Sequence, residues 1–360
     1  MDVFDCGTKI VSGAGAVAHL ANFHARRLFL VTDPFFYQNG TAQRIAAASG
    51  AEQVEIFHEV RPDPTVELAA EGTARLKAFQ PDLIVALGGG SAMDCAKAMT
   101  FFAKTDAKFV AIPTTSGSGS EVTDFAILTH NKVKHPLVDK RLRPHTAILD
   151  SDLLQELPAS LIADSGFDVL THAVEAFVAT DAGAFSDMLA QEAFRSAYGA
   201  LPASYAGRRA VRLKVHQAAT MAGMAFTQAG LGLCHAMAHS LGGMFHVPHG
   251  QLNAVLLPSV VATNAHVAAS KYAQLSRACG MGSTTDTIAV RNLRSNLVRL
   301  RRELKLPETL AQAGIAPGAL RSAMGDVVSA TLADPCCRTN PMKVEDFLVR
   351  RILEEVTGRV

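Results

Sequence analysis

The sequence has no tryptophan, no CxxC pair, no long run of one charge and no glycine- and serine-rich linker. Its six cysteines (Cys6, Cys95, Cys234, Cys279, Cys336 and Cys337) are scattered through 360 residues, a distribution that predicts reduced thiols, mostly buried as small hydrophobes, rather than a disulfide framework. Cys336 and Cys337 are adjacent, a poor geometry for a mutual disulfide, and Cys234 stands apart only because it abuts His235. With 34 basic and 33 acidic side chains and no basic stripe, nothing in the chain suits it to track a phosphate backbone, so no nucleic-acid partner is expected. The apolar runs stop short of the ~18 residues a spanning helix needs, and MDVFDCGTKIV lacks a basic segment followed by an apolar one. A cytoplasmic protein without membrane contact is expected.

What is present is a globular composition, 49% hydrophobic and 19% charged, over a length that suits two domains better than one core. Up to residue 157, short apolar runs alternate with helical patterns: LFLV at 28–31, QVEIF at 53–57, LIVAL at 83–87, FVAI at 109–112 and AIL at 147–149. Continuous apolarity suits strands covered on both faces, so residues 1–157 are predicted to form an α/β domain with a parallel sheet. From Pro158 the strand runs cease, and Ala- and Met-rich segments such as SLIADSGFDVLTHAVEAFV predict an all-α domain over 158–360. Without a linker between them, the two are expected to pack closely about a cleft.

Two loops of the first half could hold a dinucleotide. LIVALGGGSAMDCAKA places Gly88, Gly89 and Gly90 between a strand and a helix with Ser91 as its expected N-cap, and such a turn brings backbone and helix N-terminus up to a pyrophosphate. A tight turn without a ligand explains a glycine triplet equally well, and the spacing is not GxGxxG. The second loop, IPTTSGSGSEVT, follows another strand and is crowded with hydroxyls; its alternative is a solvated connector. Asp33, at the end of LFLVTD, could accept from an adenosine ribose and repel a 2′-phosphate, which favours NAD, or could simply form a turn before Pro34.

The second half carries a candidate metal site. Asp168 and His172 are four apart on a helical segment, His235 and His239 repeat that spacing, and His249 follows in HVPHG. Residues four apart share a helix face, and a carboxylate with imidazoles is ordinary coordination for Fe(II) or Zn(II). Any one histidine alone would more often be a satisfied core residue, yet these lie on otherwise apolar helices where an unpaired polar group is costly.

Together these segments resemble the iron-containing alcohol dehydrogenase family. The family's GGGSxxDxAK appears as Gly88 to Lys97, TTxGTGSEVT as Thr114 to Thr123 with Ser118 for the usual Thr, DxLTHxxEA as Asp168 to Ala176, GLCHxMAHxLG as Gly232 to Gly242, and HxPHGxxNA as His246 to Ala254. The resemblance implies a dehydroquinate synthase-like fold, metal ligands at Asp168, His172, His235 and His249, and His239 as the non-ligand histidine near the nicotinamide. It implies dinucleotide contacts at Asp33, Gly88, Gly89, Gly90, Ser91, Asp94, Thr114, Thr115, Ser118, Thr123 and Lys134. One departure is RPDPT, where Asp63 replaces the family's Asn. The cofactors implied are NAD and Fe(2+), with Zn(2+) as the alternative ion.

Within the family, RPDPTVE, GGGSAMDCAKA and AGLGLCHAMAHSLGGMFHVPHG most resemble the propanol dehydrogenases of propanediol-utilisation microcompartments. That resemblance implies a homodimer interconverting short aldehydes and primary alcohols, in the cytoplasm or within a microcompartment shell. The edge-like FDCGTKIV could add a strand across the dimer interface. The metal is expected to act as Lewis acid, NADH to deliver hydride, and His239 to relay the proton. Ethanol, lactaldehyde and 1,3-propanediol oxidoreductases are the near alternatives. A dehydroquinate-synthase-like lyase is the distant one: its phosphorylated acid substrate calls for Lys and Arg beside the metal, and residues 165–180 and 228–256 contain none.

Overall fold

The computed structural model describes residues 4–131, 133–282 and 284–358. They divide into two compact units, one spanning Asp5–Leu157 and the other running from Pro158 onward with Phe4.

The first unit is built on a six-stranded parallel sheet of β1 (Lys9–Gly13), β2 (Arg27–Val31), β3 (Gln53–Phe57), β4 (Leu83–Gly88), β5 (Lys108–Pro113) and β8 (Thr146–Asp150). The strands lie in the order β1-β8-β5-β4-β2-β3. Because side chains alternate across a strand, Phe29, Val31, Ile84 and Ala86 enter one buried cluster while Leu28, Leu30, Leu83, Val85 and Leu87 enter another. Helices α3 (Val66–Phe79) and α4 (Gly90–Ala103) contribute Leu76, Met93 and Met99 to the first cluster. Helix α2 (Thr41–Ala48) contributes Ile45 to the second. Covering on both faces is why β2 and β4 read as unbroken apolar runs. The five predicted strands are all present. β1 and the antiparallel pair β6 (Phe125–His130) and β7 (Val133–Val138) fell outside that list, since their runs mix polar and apolar residues.

The second unit is helical: α5 (Ala159–Val178), α6 (Ala184–Tyr205), α7 (Arg212–Ala229), α8 (Leu233–Phe245), α9 (His249–Ala278), α10 (Asp286–Glu303), α11 (Pro317–Ala333) and α12 (Asp346–Val356). At its centre α5 packs against α6, α7 and α9. Gly166 admits Leu201 of α6, for a Cβ there would lie 2.2 Å from a Leu201 methyl. Gly250, at the start of α9, admits the backbone of α5: a Cβ would stand 1.9 Å from the Asp164 carbonyl oxygen. Two expectations need correction. By length and composition α9 could cross a membrane, but 72% of its apolar window is buried in the protein, the condition of a core helix. Among the cysteines, Cys95 and Cys234 are buried, whereas Cys6 is exposed and Cys279, Cys336 and Cys337 are half-buried. These last four lie near chain ends, helix termini or a short 3-10 helix (Pro335–Thr339), where packing is incomplete.

Candidate metal centre and dinucleotide loops

In the α/β unit the chain steps outward from β2 to β3 and returns to β4 on the other side of β2. Such a reversal is where open α/β sheets bind ligands, beyond the carboxyl ends of the strands. The residues found there are Asp33 after β2, Gly88 to Gly90 at the end of β4, and Thr114 and Thr115 after β5. Gly88 has φ +148, and a Cβ on it would meet that of Ala92 at 2.7 Å, so no other residue fits. Cβ atoms on Gly89 and Gly90 would approach Thr115 Oγ1 to 3.2 Å and Ser118 Oγ to 3.3 Å, so the two loops lie directly against each other.

Ser91 is not the N-cap of α4. Gly89, extended at φ −83 and ψ −167, occupies that position, and no side chain caps the helix. The glycine backbone reaches the cap conformation two residues earlier than a serine-led reading expects. Asp33 caps the short helix α1 (Pro34–Gln38), accepting from the Phe36 amide at 3.1 Å, which is its turn-forming role.

Other residues implied as dinucleotide contacts already have protein partners. The Asp94 carboxylate accepts from Ser120 Oγ at 2.8 Å and from the Ile127 amide at 3.1 Å. Thr123 Oγ1 receives the Lys97 ammonium at 2.7 Å, and the same ammonium donates to the Phe125 carbonyl at 2.8 Å. Lys97 is fully buried; burial, opposed by Asp94 and Glu121, pushes its ammonium down to about 8. Exposed Lys134 pairs with Asp63 at 2.7 Å, and Asp63 has φ +54, a left-handed backbone that suits the family's Asn especially well.

In the helical unit, four predicted residues converge. Nε2 atoms of His172, His235 and His249 lie 3.8, 3.5 and 3.5 Å from Asp168 Oδ1. Ligand atoms of Asp168, His235 and His249 all lie within 4.8 Å of one another. His172 stacks on His235 with ring centroids 4.5 Å apart. Asp168 and His172 come from one face of α5, His235 from the first turn of α8, and His249 from the first residue of α9, where Gly250 permits close approach to α5.

Buried charge is costly unless compensated. Burial opposes ionisation of Asp168, but the three imidazoles outweigh it and hold the carboxyl well below its usual range. Burial likewise opposes protonation of His235, yet Asp168 and Glu175 raise its imidazole to about 9. His249 is driven the other way, by desolvation and by the neighbouring imidazoles, into its neutral form. Imidazoles this close cannot all be cationic. One carboxylate with three converging nitrogens fits a single divalent cation, and this donor set suits iron, zinc, cobalt or manganese.

Two supporting residues carried no assigned role in the sequence. Glu175 is buried and accepts from His235 Nδ1 at 2.6 Å and from the Gly232, Cys234 and His235 amides at 3.0, 2.6 and 3.3 Å. It thereby caps α8 and fixes His235 with Nε2 toward Asp168, the carboxylate–histidine arrangement of metal sites. Gly232 is required beside it, since a Cβ would stand 2.8 Å from Glu175 Oε1. The helical spacing of Asp168, His172 and Glu175 could have revealed Glu175. Asn253 donates to Asp168 Oδ1 at 2.8 Å and lies one turn after His249. His239 stands outside the four: its Nδ1 pairs with Asp334 Oδ2 at 2.9 Å, and its ring stacks on His249 at 5.2 Å.

Comparison with known proteins agrees with both units. Residues 7–151 match the family model described as iron-containing alcohol dehydrogenase, and residues 162–357 match the C-terminal model of the same family. The 1-propanol dehydrogenase of Salmonella typhimurium is 38% identical over 369 residues, covering 99% of this chain and all of that protein. Among solved structures, an iron-containing alcohol dehydrogenase from Thermococcus thioreducens has a TM-score of 0.91 at 30% identity, covering 98% of this chain and 99% of that one. A sulfoacetaldehyde reductase from Bifidobacterium kashiwanohense, solved in complex with NAD+, has a TM-score of 0.90 at 25% identity, covering 99% of each chain.

Proposed function

The chain belongs to the iron-containing alcohol dehydrogenases, enzymes that interconvert alcohols and aldehydes with NAD(H) and iron, and from that premise we propose that it acts on short, neutral aldehydes and primary alcohols, propanal and 1-propanol foremost. The observation that carries the reading is the gathering of His172, His235 and His249 around the Asp168 carboxylate. These four would hold the ion. When bound, the ion supplies Lewis-acid polarisation of a carbonyl and the dinucleotide supplies hydride.

The chain's own residues do the positioning. Glu175 and Asn253 orient His235 and Asp168, and His239, beside the ligands without being one, passes the proton. In residues 1–157, Asp33, Gly88, Gly89, Gly90, Ser91, Thr114, Thr115, Ser118 and Lys134 are the proposed dinucleotide contacts, with Asp94 and Thr123 bracing the loops from behind. Residues 158–360 form the metal domain. The absence of Lys and Arg from 165–180 and 228–256 favours an uncharged substrate. An edge strand β1 paired on one side only supports a homodimer formed across it. A cytoplasmic address within a microcompartment shell rests on the resemblance to propanol dehydrogenases.

Protein loaded with Fe(II) without oxygen should oxidise NADH with C2 to C4 aldehydes, propanal giving the highest kcat/KM, and elemental analysis should find one iron per chain. Equal turnover of charged and neutral aldehydes would overturn the substrate reading.

A further inference from the structure

Asp334 lies 95 residues from His239, yet its carboxylate is aimed at that imidazole. It sits where α11 ends and the 3-10 helix Pro335–Thr339 begins. One oxygen, Oδ1, accepts from the Cys336 amide at 2.8 Å and so is held by its own turn; the other, Oδ2, lies 2.9 Å from His239 Nδ1. Thr331, one turn earlier on α11, is buried and hydrogen-bonds Ser240, the neighbour of His239, at 3.1 Å. The carboxylate is therefore fixed relative to α8 from two sides.

A neutral imidazole has one N–H and one lone pair. A carboxylate facing Nδ1 selects the tautomer with the proton there and leaves the lone pair on Nε2. We propose that Asp334 is a positioning residue for proton transfer: it locks His239 as the Nδ1–H tautomer and orients Nε2 to take or return the substrate's hydroxyl proton. In the oxidising direction the substrate O–H bond breaks and an Nε2–H bond forms, while the Nδ1–H bond to Asp334 stays intact and steadies the resulting imidazolium. This rests on the reading of His239 as the proton carrier.

Two measurements test it. In iron-loaded enzyme, Asp334→Asn should lower kcat with propanal about 10- to 100-fold, with KM and iron content near wild type. Asp334→Glu should recover most of the loss, and Asp334→Asn added to His239→Ala should cost nothing further. In metal-free protein labelled with 15N-histidine, the resonances lost in His239→Ala should report the Nδ1–H tautomer, and Asp334→Asn should shift them toward the other. If His239→Ala leaves turnover intact, the proton-carrier reading fails. If His239→Ala is crippled while Asp334→Asn keeps wild-type kcat, or costs the same in both backgrounds, or leaves the tautomer unchanged, the positioning role of Asp334 is overturned.

Discussion

Two of the buried polar clusters among the described residues, one in each unit, are built on opposite principles. In the α/β unit, donors and acceptors close on one another: Asp94 with Ser120 and the Ile127 amide, Lys97 with Thr123 and the Phe125 carbonyl. Such a cluster is complete and serves as scaffold. In the helical unit, three imidazole nitrogens gather around one carboxylate oxygen, and Glu175 and Asn253 hold His235 and Asp168 in that arrangement. Ligand-type nitrogens crowded around a carboxylate suit a site that holds a cation. Closure marks a brace; convergence marks a binding site.

Breaking the convergent cluster should have the largest effect. Asp168→Ala should abolish stoichiometric iron and lower turnover roughly 1000-fold or more; a variant that retains a full equivalent of iron by elemental analysis would remove Asp168 from the ligand set. Next comes the contact that seats His249. A methyl at Gly250 would collide with the Asp164 carbonyl, so Gly250→Ala should destabilise the protein by about 3 kcal/mol and weaken iron binding, as read by thermal melts and chelator competition. An unchanged melt would show that α9 can shift without cost.

The self-satisfied cluster makes a different prediction, in pH. Lys97 loses its proton near pH 8 when folded and near 10.5 when unfolded. Between these values the unfolded chain binds the extra proton, so stability rises with pH. Denaturant melts from pH 7.5 to 10 should therefore show wild type gaining on Lys97→Met by about 2 to 3 kcal/mol, and parallel curves would mean the ammonium is not buried as described. The smallest effect is expected at the support of the metal centre. Glu175→Gln keeps the shape but removes the charge behind His235, and should weaken metal affinity about 10- to 100-fold. If competition with a chelator showed no change, Glu175 would be only a helix cap.

Much of this was legible in the sequence wherever a local period or a short motif carried it. β2, β4, β5 and β8 were visible because strands buried on both faces must be largely apolar, and the edge strand β3, QVEIF, by its mixed β-type run. The polar-flecked hairpin of β6 and β7 was not, nor was the start of α4 at Gly90 rather than after Ser91, because a glycine's backbone freedom leaves the cap position open. His172 was placed by its spacing from Asp168, and Glu175 lay within reach of the same reasoning. Asp334 and Asn340, which accepts from the Leu233 amide at 3.1 Å, had no sequence signal, since they meet α8 from about 100 residues away.

The sequence by itself determined the order of elements and the two rhythms that separate an α/β half from a helical half, and its motifs named the four residues proposed to hold the ion, because helix period and motif are local properties of the chain. Only the tertiary structure decided which polar residues close on each other and which converge. That distinction depends on distances between segments far apart in the chain: His249 against α5 through Gly250, Glu175 under α8, and Asp334 against His239.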